Sequence, residues 1–212
     1  MASATTSTAH VLHALRICGF APTDRVADYL RLPTGAVEDA LWACAADGLA
    51  KHRTGRMTGW LLTPAGREVH DGHIVSRLGD RSWQQPVLAG YTEFLGRNHE
   101  LKGICTAWQL RPSPDGSTDI NDHSDPGYDR DVIDDLSSLD DRAVSMLELL
   151  ADGLPRFADY RPRLASALAR VRDGDTAAFA TPMSASYHCI WMELHQDLLV
   201  TLGRERSDAD GH

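Results

Sequence analysis

The sequence predicts a mainly α chain in two parts: short helices interrupted by one two-stranded hairpin, then an all-helical bundle. Three observations predict it. Apolar residues recur at helical spacing through most of the 212 residues. One segment, Leu49–Leu62, breaks that rhythm with two β-prone runs around R-T-G-R. Charge also divides the chain: residues 1–82 hold 9 Lys+Arg against 8 Asp+Glu, and residues 83–212 hold 12 against 22.

The elements of the first part follow in order. Val11, Leu12, Leu15 and Ile17 mark a first helix after a frayed Ser/Thr-rich start, and Gly19 ends it. Thr23 is the expected N-cap of a second helix with Val26, Ala27 and Leu30 inward, broken at Pro33. A third helix opens at Thr34, turns Val37, Ala40, Leu41 and Cys44 inward and stops at Gly48. Leu49–His52 and Thr58–Leu62 read as paired strands around a turn with two cations, Arg53 and Arg56. Thr63 and Pro64 then supply the cap and first residue of a fourth helix. Three helices, a basic-tipped hairpin and a following helix make a winged helix-turn-helix, expected over residues 1–81.

This segment resembles the MarR-like winged-helix transcriptional regulators of actinobacterial type. The likeness covers about residues 8–80 and is carried by the element order, D-G-L-A-K-H-R, R-T-G-R and L-T-P-A-G-R-E. It implies a third helix in the DNA major groove and a hairpin on the adjacent backbone or minor groove. Thr34, Gly35, Glu38, Asp39 and Trp42 would then lie on or near the reading helix. Arg53, Thr54, Gly55 and Arg56 would form the wing, with Arg31 nearby. The sequence departs from such regulators in one respect: the reading helix carries two acids and no Lys or Arg. Phosphate neutralisation would fall to Arg25, Arg31, Lys51, Arg53 and Arg56, while acids can accept from cytosine amino groups.

The second part is expected over residues 82–206, with a disordered tail at 207–212. A long helix starts at Ser82, and Pro86, Gly90, Gly96 and Gly103 argue for an early start, a bend or a split. Residues 111–128 read as a loop rich in Pro, Gly and Asx. Its D-I-N-D-H-S-D run fails as a calcium loop, because the sixth position from Asp119 is not Gly and the twelfth is Arg130. Asp125 and Pro126 are a cap and first residue for a helix to Leu150, which leaves Asn121, Asp122 and His123 without a structural duty. A short helix follows Pro162, and a last one starts at Thr181–Pro182 and runs to Gly203. The layout resembles the effector-binding and dimerisation regions of such regulators.

The last helix holds S-Y-H-C-I-W-M-E-L-H-Q-D-L-L, Ser186–Leu199. At about 100° per residue, His188 and His195 fall in the apolar stripe with Trp191. Glu193 and Asp197 fall opposite, where solvation or surface pairing is expected. The histidines lie about 10.5 Å apart along the axis, against the i,i+4 spacing of a zinc pair on one helix. Each either bonds a carbonyl or carboxylate within the bundle or faces a pocket with Tyr187, Trp191, Trp108 and Gln109. The candidate effector-binding residues are therefore His99, Trp108, Gln109, Asn121, Asp122, His123, Tyr187, His188, Trp191 and His195.

Composition bounds the rest. Hydrophobic content of 42% and charge of 24% are ordinary for a soluble globular chain. No apolar run reaches the roughly 18–20 residues of a membrane span, and M-A-S-A-T-T-S-T-A-H has no signal-peptide pattern. Cys18, Cys44, Cys105 and Cys189 are scattered in apolar settings, as expected of reduced core thiols in a cytoplasmic protein. The acidic second part repels nucleic acid, so DNA contact would fall to the first. No catalytic motif, metal or cofactor is expected. The expectation is a homodimeric DNA-binding regulator sensing a small-molecule effector. The alternatives are a winged-helix protein-interaction module that does not bind DNA, or a His/Asp metal-dependent enzyme.

Overall fold

The computed structural model describes residues 7–79, 81–113 and 116–205, without the side chains of residues 75–77. The frayed start and the tail at 207–212 lie outside the described residues. The described chain is mainly helical, with two small antiparallel sheets. No helix in it is long and apolar enough to cross a membrane. It forms two compact units: residues 1–81 with Met183–Ala185, and the remainder from Ser82 onward.

The first unit runs α1 (Thr8–Cys18), α2 (Thr23–Leu30), α3 (Thr34–Ala46), β1 (Ala50–Arg53), β2 (Gly59–Leu62) and α4 (Pro64–Arg77). Its core is Val11, Leu12, Val26, Val37 and Leu41, all 0% exposed, closed by Trp60 at 1%. Burying side chains of this size contributes about 1.5–3 kcal/mol each. Gly19 ends α1 in a positive-φ conformation that an L side chain rarely adopts. Thr63 caps α4 as expected: its Oγ accepts from Gly66 N and donates to the Gly48 carbonyl.

Thr23 does not cap α2. Pro22 holds that position, and Thr23 Oγ1 accepts from Trp60 Nε1 over 3.0 Å. The reason is a strand contact that no periodicity reports. Ala21 and Trp60 exchange both backbone hydrogen bonds, so the α1–α2 connection lies along β2 as a one-residue third strand. Gly59 permits the approach, since a Cβ there would meet the Ala21 carbonyl oxygen at 2.8 Å. Arg25 also departs from expectation. It is 4% exposed and belongs to the interior of α2, not to a cationic surface.

The second unit runs α5 (Gln84–Gln109), β3 (Leu110–Pro112), β4 (Thr118–Ile120), α6 (Pro126–Gly153), a 3₁₀ segment (Pro155–Asp159), α7 (Tyr160–Arg172), α8 (Ala177–Ala180) and α9 (Tyr187–Leu202). α5 is continuous. Pro86 lies in its first turn, where no intrahelical bond is lost. Gly90 lets α6 pack closely, because a Cβ there would meet Leu150 Cδ2 at 2.5 Å. The contacts Gly90 to Leu150, Arg97 to Arg142 and Ala107 to Tyr128 run in opposite chain order, so α5 and α6 are antiparallel. The loop expected at 111–128 contains a short hairpin with Leu110 opposite Ile120. Asp125 and Pro126 open α6 as expected, the carboxylate accepting from Gly127 N and Tyr128 N.

Two helix starts differ from expectation. α7 begins at Tyr160, ahead of Pro162, whose missing N–H falls in the first turn and removes no helix bond. α9 begins at Tyr187, not Thr181. Ser186 is its cap, accepting from Cys189 N and donating to the Thr181 carbonyl. Thr181 instead closes the one-turn helix α8.

α9 is buried on nearly every side, which overturns the expected outward position of its acids. Glu193 is 6% exposed and Asp197 0%. Glu193 pairs with Arg163 of α7, and Asp197 with Arg156 of the 3₁₀ segment. On another side Trp191 stacks on Phe94 and donates to Asn98 Oδ1 of α5. A helix clasped between α5 and α7 has no single outer face.

The four cysteines are free, but only Cys44 is fully buried; Cys18, Cys105 and Cys189 are partly exposed. Burial pushes the Cys105 thiol up to about 11.

Candidate functional site

Two surfaces carry the candidate residues, one in each unit. In the first unit α3 turns Val37, Leu41 and Cys44 inward, so helical spacing turns the other residues out. Thr34, Gly35, Glu38, Asp39 and Trp42 are all exposed, Trp42 by 50%. Trp42 is nonetheless held. Its ring meets His52 at 5.2 Å and Trp60 at 4.8 Å, both edge-on, and His52 lies over Trp60 at 4.5 Å. His52 pairs with Trp60 across β1 and β2, and Arg53 follows it directly. The exposed face of α3 is thus joined through Trp42 and His52 to the strand that enters the Arg53–Arg56 turn. Arg53, Thr54, Gly55, Arg56 and Met57 are exposed, with Gly55 at φ 143°. Arg31 is exposed at the end of α2 in the left-handed region, φ 55°.

The second surface is an open cleft of about 440 Å³ in the second unit. Trp108 and Gln109 reach it from the end of α5, Asn121 and His123 from the segment after β4, and Thr176 and Ala177 from the start of α8. Trp108, 6% exposed, has Phe179 stacked on it at 4.2 Å and His123 tilted over it at 4.4 Å.

The order here comes from the unsatisfied carbonyls at the C-terminus of α5. Asn121 Nδ2 donates to the Trp108 carbonyl and Asn121 N to that of Gln109; Tyr128 Oη reaches those of Ala107 and Leu110. Asn121 Nδ2 also donates to Asp129 Oδ1 at 2.8 Å. Asn121, 5% exposed, therefore has a structural duty, contrary to expectation. So has His123. Its Nδ1 lies 3.0 and 3.1 Å from the two Asp129 oxygens, and its backbone takes φ 58°.

The other predicted residues do not reach this cleft. Asp122 is exposed beside it, held below the usual carboxylate range by hydrogen bonds from Ser124 Oγ and N, with Arg111 adding to the effect. His99 is exposed on α5. Tyr187 and Trp191 are both 0% exposed and committed to the core. Tyr187 Oη donates to Asp140, and burial raises both groups above their ordinary values. His195 is 2% exposed against the Phe94 ring, while His188 is only half-buried. The expected pocket joining Trp108 and Gln109 to Tyr187 and Trp191 is thus two places. Tryptophan and tyrosine of α9 fill the core, while the cleft takes its far wall from α8, a helix too short to leave a periodic signal.

Among the described residues no three His, Cys, Asp or Glu side chains converge as metal ligands. Comparison with protein-family models, curated proteins and solved structures finds no match.

Proposed function

We propose that this chain is a DNA-binding transcriptional regulator of the winged-helix, MarR-like type, acting as a homodimer, whose second unit senses a small molecule. One observation carries the reading. The exposed face of α3 is continuous, through Trp42 and His52, with the turn that carries Arg53 and Arg56. That is the arrangement needed to place one helix in a major groove while a hairpin meets the neighbouring phosphates. The helix order and the third-strand contact of Ala21 with Trp60 support it further. Binding of effector would shift a dimer between states with different spacing of the two reading helices, and hence different operator affinity. The half-sites would lie about one helical turn, or a multiple, apart.

The test is fluorescence anisotropy of the full chain on the DNA upstream of its own coding sequence, over a salt series. Replacing Arg53 and Arg56 by Ala should weaken binding and lower the slope of log K against log[salt] by about 0.9 per lost phosphate contact. Absence of salt-sensitive binding would sink the reading.

One observation favours a second reading. Trp42 and Met57 are exposed by 50% and 56%, and Glu38 and Asp39 flank Trp42 on the same helix. An exposed aromatic residue with two acids one turn before it also fits a protein-contact surface. In that case the Arg53 and Arg56 substitutions would leave partner binding intact and there would be no DNA affinity to lose.

A further inference from the structure

We propose that the cleft over Trp108 is the small-molecule site of the second unit, and that its ligand is an uncharged ring compound donating one hydrogen bond to His123 Nε2. The proposal rests on the effector half of the function proposed above and gives it a place and a ligand chemistry.

The hydrogen bonds of His123 fix its chemistry. Both Asp129 oxygens lie within 3.1 Å of Nδ1, nearer than Asn121 Nδ2 at 3.3 Å, and a carboxylate only accepts, so the one proton of the neutral ring is on Nδ1. Nε2 is then an acceptor, and it makes no hydrogen bond among the described residues. Its direction is set from three sides: Asp129 holds Nδ1, Trp108 underlies the ring, and Asn121 Oδ1 accepts from the His123 backbone N–H. The backbone is kept in the left-handed region, at φ 58°, which a non-glycine residue adopts at some conformational cost. The result is an oriented acceptor at the mouth of a cleft.

The lining selects the rest of the ligand. No Lys, Arg, Asp or Glu side chain lines the cleft. Ile120, Ala177, Ala180 and the small exposed part of Trp108 offer apolar contact, and Gln109, Thr176 and Thr181 offer uncharged polar groups. A charged ligand would lose hydration without a counter-charge, whereas a flat apolar ring with one N–H or O–H would meet a partner for every part. The two buried acids of α9 and Tyr187 are already committed: Asp197 to Arg156 and Tyr160, Glu193 to Arg163, and Tyr187 to Asp140.

The full chain, labelled with 15N-histidine, is titrated with indole and then 1-methylindole up to about 10 mM, a range suited to fragments of this size. Indole carries the N–H donor; 1-methylindole keeps the ring and lacks the donor. The expected result is a saturable shift of the His123 Nε2 resonance with indole, and binding weaker by about fivefold or more with 1-methylindole. Ala177→Leu, at an exposed position on the cleft wall, should weaken indole binding without altering the fold. His123→Asn, which tolerates positive φ, should remove the preference for indole over 1-methylindole. A His123 resonance unmoved by indole, equal affinity for the two probes, or unchanged affinity in Ala177→Leu would each overturn the proposal. The titration contains no DNA, so its failure leaves the DNA-binding reading standing, and failure of that reading leaves this site standing.

Discussion

Asp197 is fully buried, while Arg156, whose guanidinium Nη2 lies 3.1 Å from its Oδ1, keeps 29% of its side chain exposed. Tyr160 Oη donates to the other carboxylate oxygen at 3.2 Å, and Thr201 Oγ1 completes the cluster. Three side chains, one each from the 3₁₀ segment, α7 and α9, thus converge on one buried charge. Removing one partner of such a pair costs about 3–5 kcal/mol, because the other is left uncompensated. Arg156→Ala and Asp197→Ala should each destabilise the protein on that scale in urea unfolding followed by circular dichroism. A loss below about 1 kcal/mol would place the pair with ordinary surface ion pairs.

Two glycines of α4 should respond in opposite directions to the same substitution. A Cβ on Gly66 would lie 2.0 Å from the Leu49 carbonyl oxygen, a backbone atom that cannot swing away. A Cβ on Gly72 would meet nothing within 4 Å. Gly72→Ala should therefore stabilise by about 0.5–1 kcal/mol through lower unfolded-state entropy and better helix propensity. Gly66→Ala should destabilise by about 1–3 kcal/mol through overpacking. Equal thermal midpoints for the two variants would contradict the close packing of α4 on the β1 entry.

His70, 1% exposed, forms a hydrogen bond of 3.1 Å with His13 of α1 and one of 3.0 Å with its neighbour Asp71. Burial holds His70 below the usual histidine value. Asp71 opposes the shift, while His13 and Arg16 add to it. Above about pH 6.5 the residue is neutral in both folded and unfolded chains. As pH falls below that value the unfolded chain takes up a proton that the folded chain resists, so stability falls. His70→Gln should flatten the decline in the urea midpoint between about pH 6.5 and 5. An unchanged slope would assign the acid sensitivity to other groups.

What the sequence revealed and what it hid divide along one physical line. Helical spacing placed α3 with Val37, Leu41 and Cys44 inward, and the Thr63–Pro64 and Asp125–Pro126 pairs located two helix starts, because these signals are local. The third-strand contact of Ala21 with Trp60 spans 39 positions and has no local signature. A helical wheel misplaces the acids of α9 because it assumes one buried face, whereas α9 has α5 on one side and α7 on another. The signal that could have corrected it is the cations Arg156 and Arg163, whose separation from Asp197 and Glu193 is 41 and 30 residues. In the cleft, residue type alone points to Trp108, Gln109, Asn121 and His123. It does not point to their partners Asp129 and Phe179, since neither a carboxylate in a first turn nor a phenylalanine in a four-residue helix stands out by type.

Asn121 gives the sharpest test of how the cleft is held. Its amide donates to the Trp108 carbonyl at 3.1 Å and to Asp129 at 2.8 Å, and its Oδ1 accepts from His123 N. Asn121→Ala removes all three and leaves a helix-terminal carbonyl buried, at about 1–3 kcal/mol. Asn121→Asp preserves shape and the bond to His123 N, but exchanges a donor for a carboxylate facing Asp129. Two adjacent carboxylates raise each other's affinity for protons in the folded state. The unfolded chain then ionises first, so the penalty appears as pH rises through about 4 and persists at neutral pH. At pH 3.5 Asn121→Asp should be no less stable than Asn121→Ala, and at pH 7 it should be the weaker, as read from thermal midpoints in matched buffers. The reverse order at pH 7 would mean that Asn121 does not bridge α5 to Asp129.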